Sequence, residues 1–216
     1  IIQYKERLRL KRLPFESYDQ YFSSFSGKGK IFRQDYPLVG RDREISVVLD
    51  FMRSDAKLLL ILGRGGIGKS KLMYEVAKVA EKKDDLEWKK ILFLKNNVIF
   101  DQTKLQEIPT GKCVIVVDDA HRYEYLRNIF SVFDDADLKN RIKVILLARP
   151  SQRQFLDMVL ASAPLDTNDV SRMKELEHLS LDETKQMIIN IIGHENLAIV
   201  DYLANLTKDC PLATAI

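Results

Sequence analysis

The sequence predicts an α/β fold in which helices cover a mainly parallel sheet, followed by a small all-helical unit. From residue 41 onward, short continuous apolar runs alternate with stretches of helical periodicity, which is the rhythm of βαβ units. Continuous apolar runs are typical of strands covered on both faces. Of the 216 residues, 46% are hydrophobic and 30% charged, which suits one sizeable α/β domain with an appendage and excludes a disordered or collagen-like chain.

Four apolar runs are the candidate strands, and helical stretches separate them. The runs are residues 57–62, 91–94, 113–117 and 143–148. A helix is predicted from residue 41 to about Arg53, because its apolar residues follow the i, i+3, i+4, i+7 spacing of one helix face: Ile45, Val48, Leu49 and Met52. Another helix is expected over residues 69–82, directly after the first strand and a glycine-rich turn.

The C-terminal part is expected to be helical, with no strand after Pro164. Ser180-Leu181-Asp182-Glu183 matches a capping box, which opens a helix that runs to Gly193. A second helix is predicted over residues 196–206. We therefore divide the chain into a basic, aromatic helical leader or linker, an α/β domain and a small helical domain, at residues 1–36, 37–165 and 166–216.

The leader combines positive charge with aromatic side chains. It contains 8 of the 34 basic and 4 of the 31 acidic residues, so the formal net charge of +3 becomes −1 for residues 37–216. Five of its eight aromatic residues lie at helical spacing: Phe15, Tyr18, Tyr21, Phe22 and Phe25. Such a stripe could touch nucleic acid. We favour a helix that docks on the body or on a neighbouring domain, because aromatic stripes at helical spacing usually mean packing.

Several classes of protein are excluded by composition. The longest apolar stretches are too short to span a bilayer, and no secretory signal opens the chain. Two cysteines, Cys113 and Cys210, cannot form a disulfide framework, so we expect a reducing compartment, the cytoplasm. Because the sequence starts at Ile1 without Met and stops at Ile216 inside an apolar run, we expect it to be a piece of a longer protein.

The motif with the most specific chemistry follows the first candidate strand. It matches G-x-x-x-x-G-K-[ST] at every position and lies between a buried strand and a helix: Gly63, Arg64, Gly65, Gly66, Ile67, Gly68, Lys69 and Ser70. Glycines let backbone N–H groups turn toward a polyphosphate, and the helix dipole favours the same anion. Lys69 would contact the β/γ-phosphates, Ser70 would bind Mg²⁺, and Lys71 continues the nucleotide-binding loop. This predicts a P-loop NTPase that binds ATP or ADP with Mg²⁺.

Two carboxylates, Asp118 and Asp119, end the strand at residues 113–117. Ligands of open parallel sheets bind at that edge. Asp118 is the candidate Mg²⁺ ligand, directly or through water, and Asp119 is the candidate that polarises a water for attack on the γ-phosphate. His121 follows, and a lone histidine without a partner is more often structural.

Several segments together resemble one family, the STAND NTPases, which are signalling ATPases that include NB-ARC resistance proteins, apoptosome scaffolds and bacterial antiviral proteins. Leu38-Val39-Gly40-Arg41-Asp42-Arg43-Glu44 resembles the family's hhGRxxE box, which precedes the phosphate loop. The phosphate loop and the strand with Asp118-Asp119-Ala120-His121-Arg122 are similar to the family's. Val144-Ile145-Leu146-Leu147-Ala148-Arg149-Pro150 resembles its hhhhTR sensor strand. Leu179-Ser180-Leu181-Asp182-Glu183 resembles the start of its helical domain, and Asp209-Cys210-Pro211-Leu212-Ala213 resembles its late GxP-Leu-Ala box.

The resemblance implies further site residues. Val39, Gly40 and Arg41 would lie near the adenine, Arg149 would reach the γ-phosphate as a catalytic and reporting group, and Pro211 would close over the base. The sequence departs from the family pattern at two positions: Ala148 replaces a Thr or Ser before the sensor arginine, and Asp209 replaces a Gly.

The resemblance also implies a function. The chain would be the ATP-binding, slowly hydrolysing switch of a STAND ATPase that assembles into a homo-oligomer when activated. The antiviral branch is the most similar one. An effector domain would precede the chain, and a sensor domain recognising a protein trigger would follow it.

Two other classes stay open at this point. An AAA+-type ATPase of a DNA-loading or origin-recognition protein also predicts a phosphate loop, paired acids and a C-terminal helical lid. Direct binding of nucleic acid is disfavoured by the net charge of −1 for residues 37–216. A small-molecule kinase would need an acceptor site and lid arginines, for which we find no candidates in the sequence.

Overall fold

A six-stranded sheet with helices on both faces forms the body of the protein. The structure is a computed structural model that describes residues 14–23, 36–95, 98, 100–122, 126–192, 197–207 and 210–211. The strands are β1 (Phe15–Ser17), β2 (Leu58–Leu62), β3 (Lys90–Leu94), β4 (Cys113–Val117), β5 (Ile142–Ala148) and β6 (Val170–Arg172). The α-helices are α1 (Tyr18–Ser23), α2 (Asp42–Arg53), α3 (Lys69–Glu81), α4 (Leu126–Ile129), α5 (Arg153–Leu160), α6 (Leu181–Ile192) and α7 (Leu197–Thr207).

The sheet has the strand order β1-β3-β4-β5-β2-β6, and only the β1–β3 pair is antiparallel. Strand β5 lies between β2 and β4, so the ends of these three strands meet at one edge of the sheet. Alternate side chains of each central strand enter different cores. Leu58, Leu60 and Leu62 pack on one face, whereas Leu59 and Ile61 pack on the face covered by α2 and α3. Burial on both faces explains why these strands read as continuous apolar runs.

One expectation about the C-terminal part of the chain was wrong. No strand was expected after Pro164, yet Val170–Arg172 forms β6 and pairs in parallel with Leu58–Leu60. Strand β6 is short and only partly buried at the sheet edge, which leaves no apolar run in the sequence. Its place in the sheet also means that residues 170–172 are not part of an all-helical domain. The other parts of the three-domain division remain predictions.

The helical prediction for the leader was wrong at Phe15. Phe15–Ser17 forms β1, and the helix begins at Tyr18. We call residues 14–23 the aromatic segment. Its side chains Tyr21 and Phe22 are buried in the core beneath α3, which confirms docking on the body for this part of the leader. Phe25 and the basic residues of the leader lie outside the described residues.

Helices α6 and α7 form the helical unit that the sequence predicted. The capping box is present: the Ser180 amide donates to Glu183 Oε2 at 2.7 Å, and the Glu183 amide donates to Ser180 Oγ at 3.2 Å. The two helices share a small core of Ile188, Val200 and Ala204. Gly193, at the predicted helix end, lies outside the described residues. In the described part of the chain, no helix combines the length and apolar character needed to cross a membrane.

Candidate functional site

The phosphate loop, residues 63–70, connects β2 to α3 at the carboxyl edge of the sheet. Gly66 and Gly68 have φ angles of 76° and 99°, in the left-handed region that favours glycine. A Cβ atom at Gly68 would have no neighbour within 4 Å, so the loop encloses open space there. Helix α3 starts at Lys69 with no side-chain cap. The positive end of its dipole therefore faces the loop, where it favours an anion.

Lys69 is a buried lysine whose ammonium group stays inside the loop. Its Nζ donates to the carbonyl oxygens of Gly63 at 2.7 Å and Arg64 at 3.0 Å. Burial lowers the pKa of Lys69, and the nearby charges of Asp118 and Asp119 act in the opposite direction. An incoming phosphate would offer this cation a charged partner in place of two neutral carbonyls.

Ser70 and Asp118 lie in direct contact across the loop. Ser70 Oγ donates to Asp118 Oδ2 at 2.5 Å, and the Tyr21 hydroxyl donates to the same oxygen at 2.9 Å. The other carboxylate oxygen, Oδ1, accepts the Asp119 amide at 2.9 Å. Both oxygens of Asp118 are thus oriented by hydrogen bonds, which fixes the carboxylate at the edge of the cavity.

Asp119 occupies a turn immediately after β4. Its φ of 48° is left-handed, a conformation that aspartate tolerates better than most residues. Its Oδ2 lies 3.4 Å from Nε of Arg122. His121 Nδ1 is buried and has no hydrogen-bond partner among the described residues, and burial lowers the pKa of the ring. A lowered pKa keeps His121 neutral near pH 7.

Arg149 follows the last residue of β5. Since β5 lies between β2 and β4, Arg149 is placed between the phosphate loop and the Asp118 strand end. Its guanidinium Cζ lies 3.7 Å from the position that a Cβ of Gly65 would occupy. The exposed cation is close enough to Lys69 to lower the pKa of that lysine. Two cations of the site therefore converge on the loop.

These groups line a cavity of about 280 Å³ that the helical unit and the linker close on the far side. We call residues 36–41 the linker. The predicted site residues that line the cavity are Val39, Arg41, Gly65, Gly66, Ile67, Gly68, Lys69, Ser70, Lys71, Asp118, Asp119, Arg149 and Pro211. The lining also includes residues that we did not predict as part of the site: Tyr21, Phe22, Tyr36, Leu38, Leu179 and Met187.

Three predicted residues lie beside the cavity instead of lining it. A Cβ on Gly63 would come within 2.9 Å of Ile67 Cγ2, so this glycine allows close packing of the loop. Arg64 Nη1 lies 3.4 Å from His178 Nε2. Gly40 has a φ of 67° and touches Glu183 at the start of α6. Arg64 and Gly40 therefore lie beside residues of the C-terminal part of the chain, whereas Gly63 packs within the loop.

Arg41 and Lys71 line the cavity, but protein partners hold their charges. The buried Arg41 guanidinium pairs with Glu44 at 3.0 Å and donates to the Glu177 carbonyl at 2.6 Å. Lys71 Nζ pairs with Glu75 at 2.9 Å. Arg41 thus joins the linker to the chain that leads into α6, in addition to its place in the cavity wall.

The unpredicted cavity residues are mostly apolar or aromatic. Leu179 and Met187 form a small cluster with Tyr36 and Val39, so the linker and the helical unit share one apolar wall. In the sequence these residues could not be told from ordinary packing residues. Tyr21 belongs to the aromatic stripe that we expected to dock on the body. The spacing of that stripe does not reveal that the Tyr21 hydroxyl contacts Asp118.

The residues at the edge of the cavity fit Mg²⁺ bound together with phosphates. Among the described residues, no group of three or more His, Cys, Asp or Glu could hold a metal by itself. Mg²⁺ typically uses one or two protein ligands and completes its shell with phosphate oxygens and waters. The adjacent oxygens of Ser70 and Asp118 match that pattern.

Solved structures show that the chain has the P-loop NTPase fold. It matches the Saccharomyces cerevisiae Hsp104–ADP complex with a TM-score of 0.66 and 14% identity, over 95% of this chain and 32% of that chain. The Walker-type ATPase of Pyrococcus abyssi matches with a TM-score of 0.60 and 13% identity, over 89% and 69%. Thermotoga maritima RuvB matches with a TM-score of 0.57 and 18% identity, over 82% and 60%.

The chain therefore spans about a third of the Hsp104 chain that it matches. No protein-family model matches the sequence, and a search of curated proteins gives no match. At identities of 13–18%, the likeness establishes the fold alone.

Proposed function

We propose that this chain is the ATP-binding and slowly hydrolysing switch module of a STAND-type signalling ATPase. The observation that carries the proposal is the cavity that the phosphate loop, the acidic strand end, the linker and the helical unit build together. A ligand in this cavity touches the α/β body and the helical unit at once. Its phosphates can therefore bias the position of the helical unit.

Nucleotide binding would use both walls of the cavity. The backbone of the phosphate loop and Lys69 would hold the phosphates, and the apolar wall of Tyr36, Val39, Leu179 and Met187 suits a base. Pro211 is buried at the same wall. Lys69 would exchange its contacts with the Gly63 and Arg64 carbonyls for contacts with phosphate oxygens.

Hydrolysis would depend on the groups at the end of β4. Mg²⁺, when bound with ATP, neutralises charge on the phosphates and helps to orient them. Ser70 and Asp118 would hold that ion, and Asp119 would orient the attacking water and accept its proton. Arg149 would stabilise negative charge on the γ-phosphate.

The switch follows from a difference in affinity between two arrangements of the helical unit. A ligand shifts such an equilibrium only by as much as it prefers one state. ADP would favour the closed arrangement, in which Pro211 and Leu179 cover the base. ATP–Mg²⁺ would favour an open arrangement through Arg149, and the open form would self-associate. A protein trigger and an effector domain elsewhere in the protein, and a role in antiviral defence, belong to the same proposal.

Replacing Lys69 tests nucleotide binding and assembly. Lys69→Ala removes the loop cation, so we expect binding of a fluorescent ATP analogue to weaken about ten- to a hundredfold, the loss typical of a charge-assisted phosphate contact. Sedimentation velocity with ATP–Mg²⁺ should show a larger assembly for the parent chain and none for the variant. The control is Lys82→Ala, which removes an exposed lysine just beyond the other end of α3. If the parent chain sediments with the same mass with and without ATP–Mg²⁺, the proposed switch is contradicted.

Replacing Asp119 tests its assigned role in hydrolysis. Asp119→Asn keeps the size of the side chain but removes the base, so ATP binding should persist while phosphate release falls about a hundredfold or more. Arg122→Gln is the matched control, since it removes the ion-pair partner without touching the base. Unchanged hydrolysis in Asp119→Asn would remove Asp119 from the mechanism.

A second candidate is an AAA+-type ATPase that acts on DNA. It stays open because the fold likeness to the Hsp104–ADP complex covers 95% of this chain, and this coverage takes in the helical unit as well as the sheet. Titration with duplex DNA at low salt separates the two candidates, because phosphate contacts give a steep salt dependence. A flat titration eliminates the DNA function, and salt-dependent binding without ATP-driven assembly eliminates the switch.

A further inference from the structure

The aromatic segment is built into the core beside the phosphate loop. Strand β1 pairs with β3, and the Lys95 amide donates to the Pro14 carbonyl at 2.9 Å. The Tyr18 hydroxyl donates to Glu81 at the far end of α3 at 2.8 Å. The segment is thus fastened to the strand beside β4 and to the helix that follows the phosphate loop.

Tyr21 points from this segment into the nucleotide cavity. Tyr21 is 7% exposed, and its ring stacks on Phe93 of β3, with ring centroids 4.5 Å apart and an interplanar angle of 18°. Phe22 packs edge-to-face on the same Phe93 and on Tyr74 of α3. The backbone and the ring of Tyr21 are therefore held independently of its hydroxyl group.

The Tyr21 hydroxyl ends on the group that we assign to Mg²⁺. It donates to Asp118 Oδ2 at 2.9 Å, and Ser70 Oγ donates to the same oxygen at 2.5 Å. With the Asp119 amide on Oδ1, the carboxylate receives three hydrogen bonds. The Asp119 amide is next to Asp118 in sequence, and Ser70 belongs to the phosphate loop. Tyr21 is the donor from the aromatic segment, 97 residues before Asp118.

We infer that Tyr21 is a positioning residue of the magnesium–nucleotide site and that the aromatic segment is thereby linked to nucleotide binding. The inference rests on the proposed function, since it needs Asp118 to act on Mg²⁺. The Tyr21 hydroxyl holds the Asp118 carboxylate in the orientation in which it faces Ser70. The carboxylate is therefore already oriented before Mg²⁺ binds. Linkage requires the reverse effect as well: bound Mg²⁺–nucleotide stabilises the docked position of the aromatic segment.

The test is the magnesium dependence of nucleotide binding in Tyr21→Phe. This variant removes one oxygen atom and keeps the ring that stacks on Phe93. Affinity for a fluorescent, non-hydrolysable ATP analogue is measured with Mg²⁺ and with EDTA, and the ratio of the two affinities is compared. We expect the ratio to fall about tenfold, the loss typical of a hydrogen bond to a charged group, while the affinity in EDTA stays the same. The matched control is Tyr18→Phe, which removes the hydroxyl that contacts Glu81 and should leave the ratio unchanged.

A second measurement follows the segment itself. Hydrogen exchange of the peptide that contains residues 14–23 should slow when Mg²⁺ and the ATP analogue bind to the parent chain, and this protection should be lost in Tyr21→Phe. General damage to the fold would lower affinity equally in Mg²⁺ and EDTA, and that result would overturn the positioning role.

The remaining outcomes are equally decisive. An unchanged ratio in Tyr21→Phe overturns the inference and leaves the nucleotide switch standing. A parent chain that binds the analogue equally well in Mg²⁺ and EDTA also overturns it, because Asp118 then holds no metal. A parent chain that binds no nucleotide overturns the proposed function, and the inference with it.

Discussion

At position 40, the absence of a side chain lets the linker touch the helical unit. Gly40 has a φ of 67°, and a Cβ atom there would come within 2.3 Å of Glu183 Oε1. Glu183 is the capping-box residue of α6, and its other oxygen accepts the Ser180 amide. A side chain on residue 40 therefore collides with the group that caps the first turn of the helical unit.

Gly40→Ala should destabilise the fold more than an alanine at an open left-handed glycine. Left-handed backbone costs an alanine about 1 kcal/mol, and disturbing the helix cap adds about another 1 kcal/mol. Gly111→Ala is the matched control, because Gly111 has a φ of 86° and a Cβ there meets nothing within 4 Å. Urea unfolding should give a loss of about 2 kcal/mol for Gly40→Ala and about 1 kcal/mol for Gly111→Ala.

Glu183→Ala identifies the collision as the cause. In the double variant, the alanine at position 40 no longer meets the carboxylate. The double variant should therefore lose less free energy of unfolding than the sum of the losses in the two single variants. Strictly additive effects would mean that Gly40 matters only for its backbone conformation.

At the scale of elements, a buried lysine joins β5 to the end of α2. Lys143 Nζ donates to the carbonyl oxygens of Phe51, Ser54 and Ala56, at 3.1, 2.6 and 2.6 Å. The ammonium group also lies 5.0 Å from the ring centroid of Trp88. Removal from water lowers the pKa of Lys143 to about 8, and Asp55 and Lys112 act on it in opposite directions.

A lowered pKa makes the stability contribution of Lys143 depend on pH. The group keeps its proton to about pH 10.5 in the unfolded chain but loses it near pH 8 in the fold. Between these values the unfolded chain binds more protons, so raising the pH removes a cost that is fully present below about pH 8. The free energy of unfolding, measured with urea, should therefore rise by about 1–3 kcal/mol more in the parent chain than in Lys143→Met when the pH is raised from 7.5 to 10.

Trp88 provides an independent readout, because it is the chain's single tryptophan. Its fluorescence should titrate near pH 8 in the parent chain and at a higher pH in Lys112→Met, which removes a charge that lowers the pKa of Lys143. It should not titrate in this range in Lys143→Met. Parallel pH profiles for the parent and Lys143→Met would show that the lysine keeps its proton in the fold.

Strand predictability follows burial. Strands β2, β4 and β5 are buried on both faces, so their sequences had to be continuous apolar runs, and all three were predicted to within one residue. Strand β6 is a partly buried edge strand and left no comparable pattern. The first residue of β1 fell into a helical spacing by coincidence, since Phe15 points into the core from a strand, against Phe100.

The candidate site was predictable where backbone chemistry restricts the residue type. Glycine is the residue that suits the left-handed positions of the phosphate loop. A hydroxyl and a carboxylate suit the proposed Mg²⁺ site at the edge of the cavity. These residue types can therefore be recognised in the sequence. The base wall is different, because Leu179 and Met187 obey the same apolar rule as any core residue. Which apolar residues face a cavity depends on tertiary packing, and no local spacing records it.

For the whole molecule, the cavity is assembled from parts that are distant in sequence. The phosphate loop is residues 63–70, the linker lies before it, and Leu179 and Pro211 flank the helices of the helical unit. Arg41 joins the linker to the Glu177 carbonyl, in the chain that leads into α6, and Gly40 lies close to Glu183 in the first turn of α6. Movement of the helical unit would therefore open the base wall while leaving the phosphate loop intact.

Cys210 can report that movement, with the buried Cys113 as the unreactive reference. Cys113 is fully buried in β4, and burial raises the pKa of its thiol to about 11, so it should resist a thiol reagent until the protein unfolds. Cys210 is half-buried and precedes Pro211 at the cavity wall. We expect one thiol to react in the folded protein and Cys210→Ser to abolish that reaction.

Nucleotide should change the rate of the Cys210 reaction by changing how often the wall opens. With ADP, which we assign to the closed arrangement, the reaction should slow several-fold, because reagent reaches the thiol through the open form. ATP–Mg²⁺ should slow it less or speed it. In Lys69→Ala, neither nucleotide should have an effect, whereas Lys82→Ala should behave as the parent. Equal rates with and without a nucleotide that is known to be bound would mean that the nucleotide does not move the helical unit. That result would contradict the proposed switch.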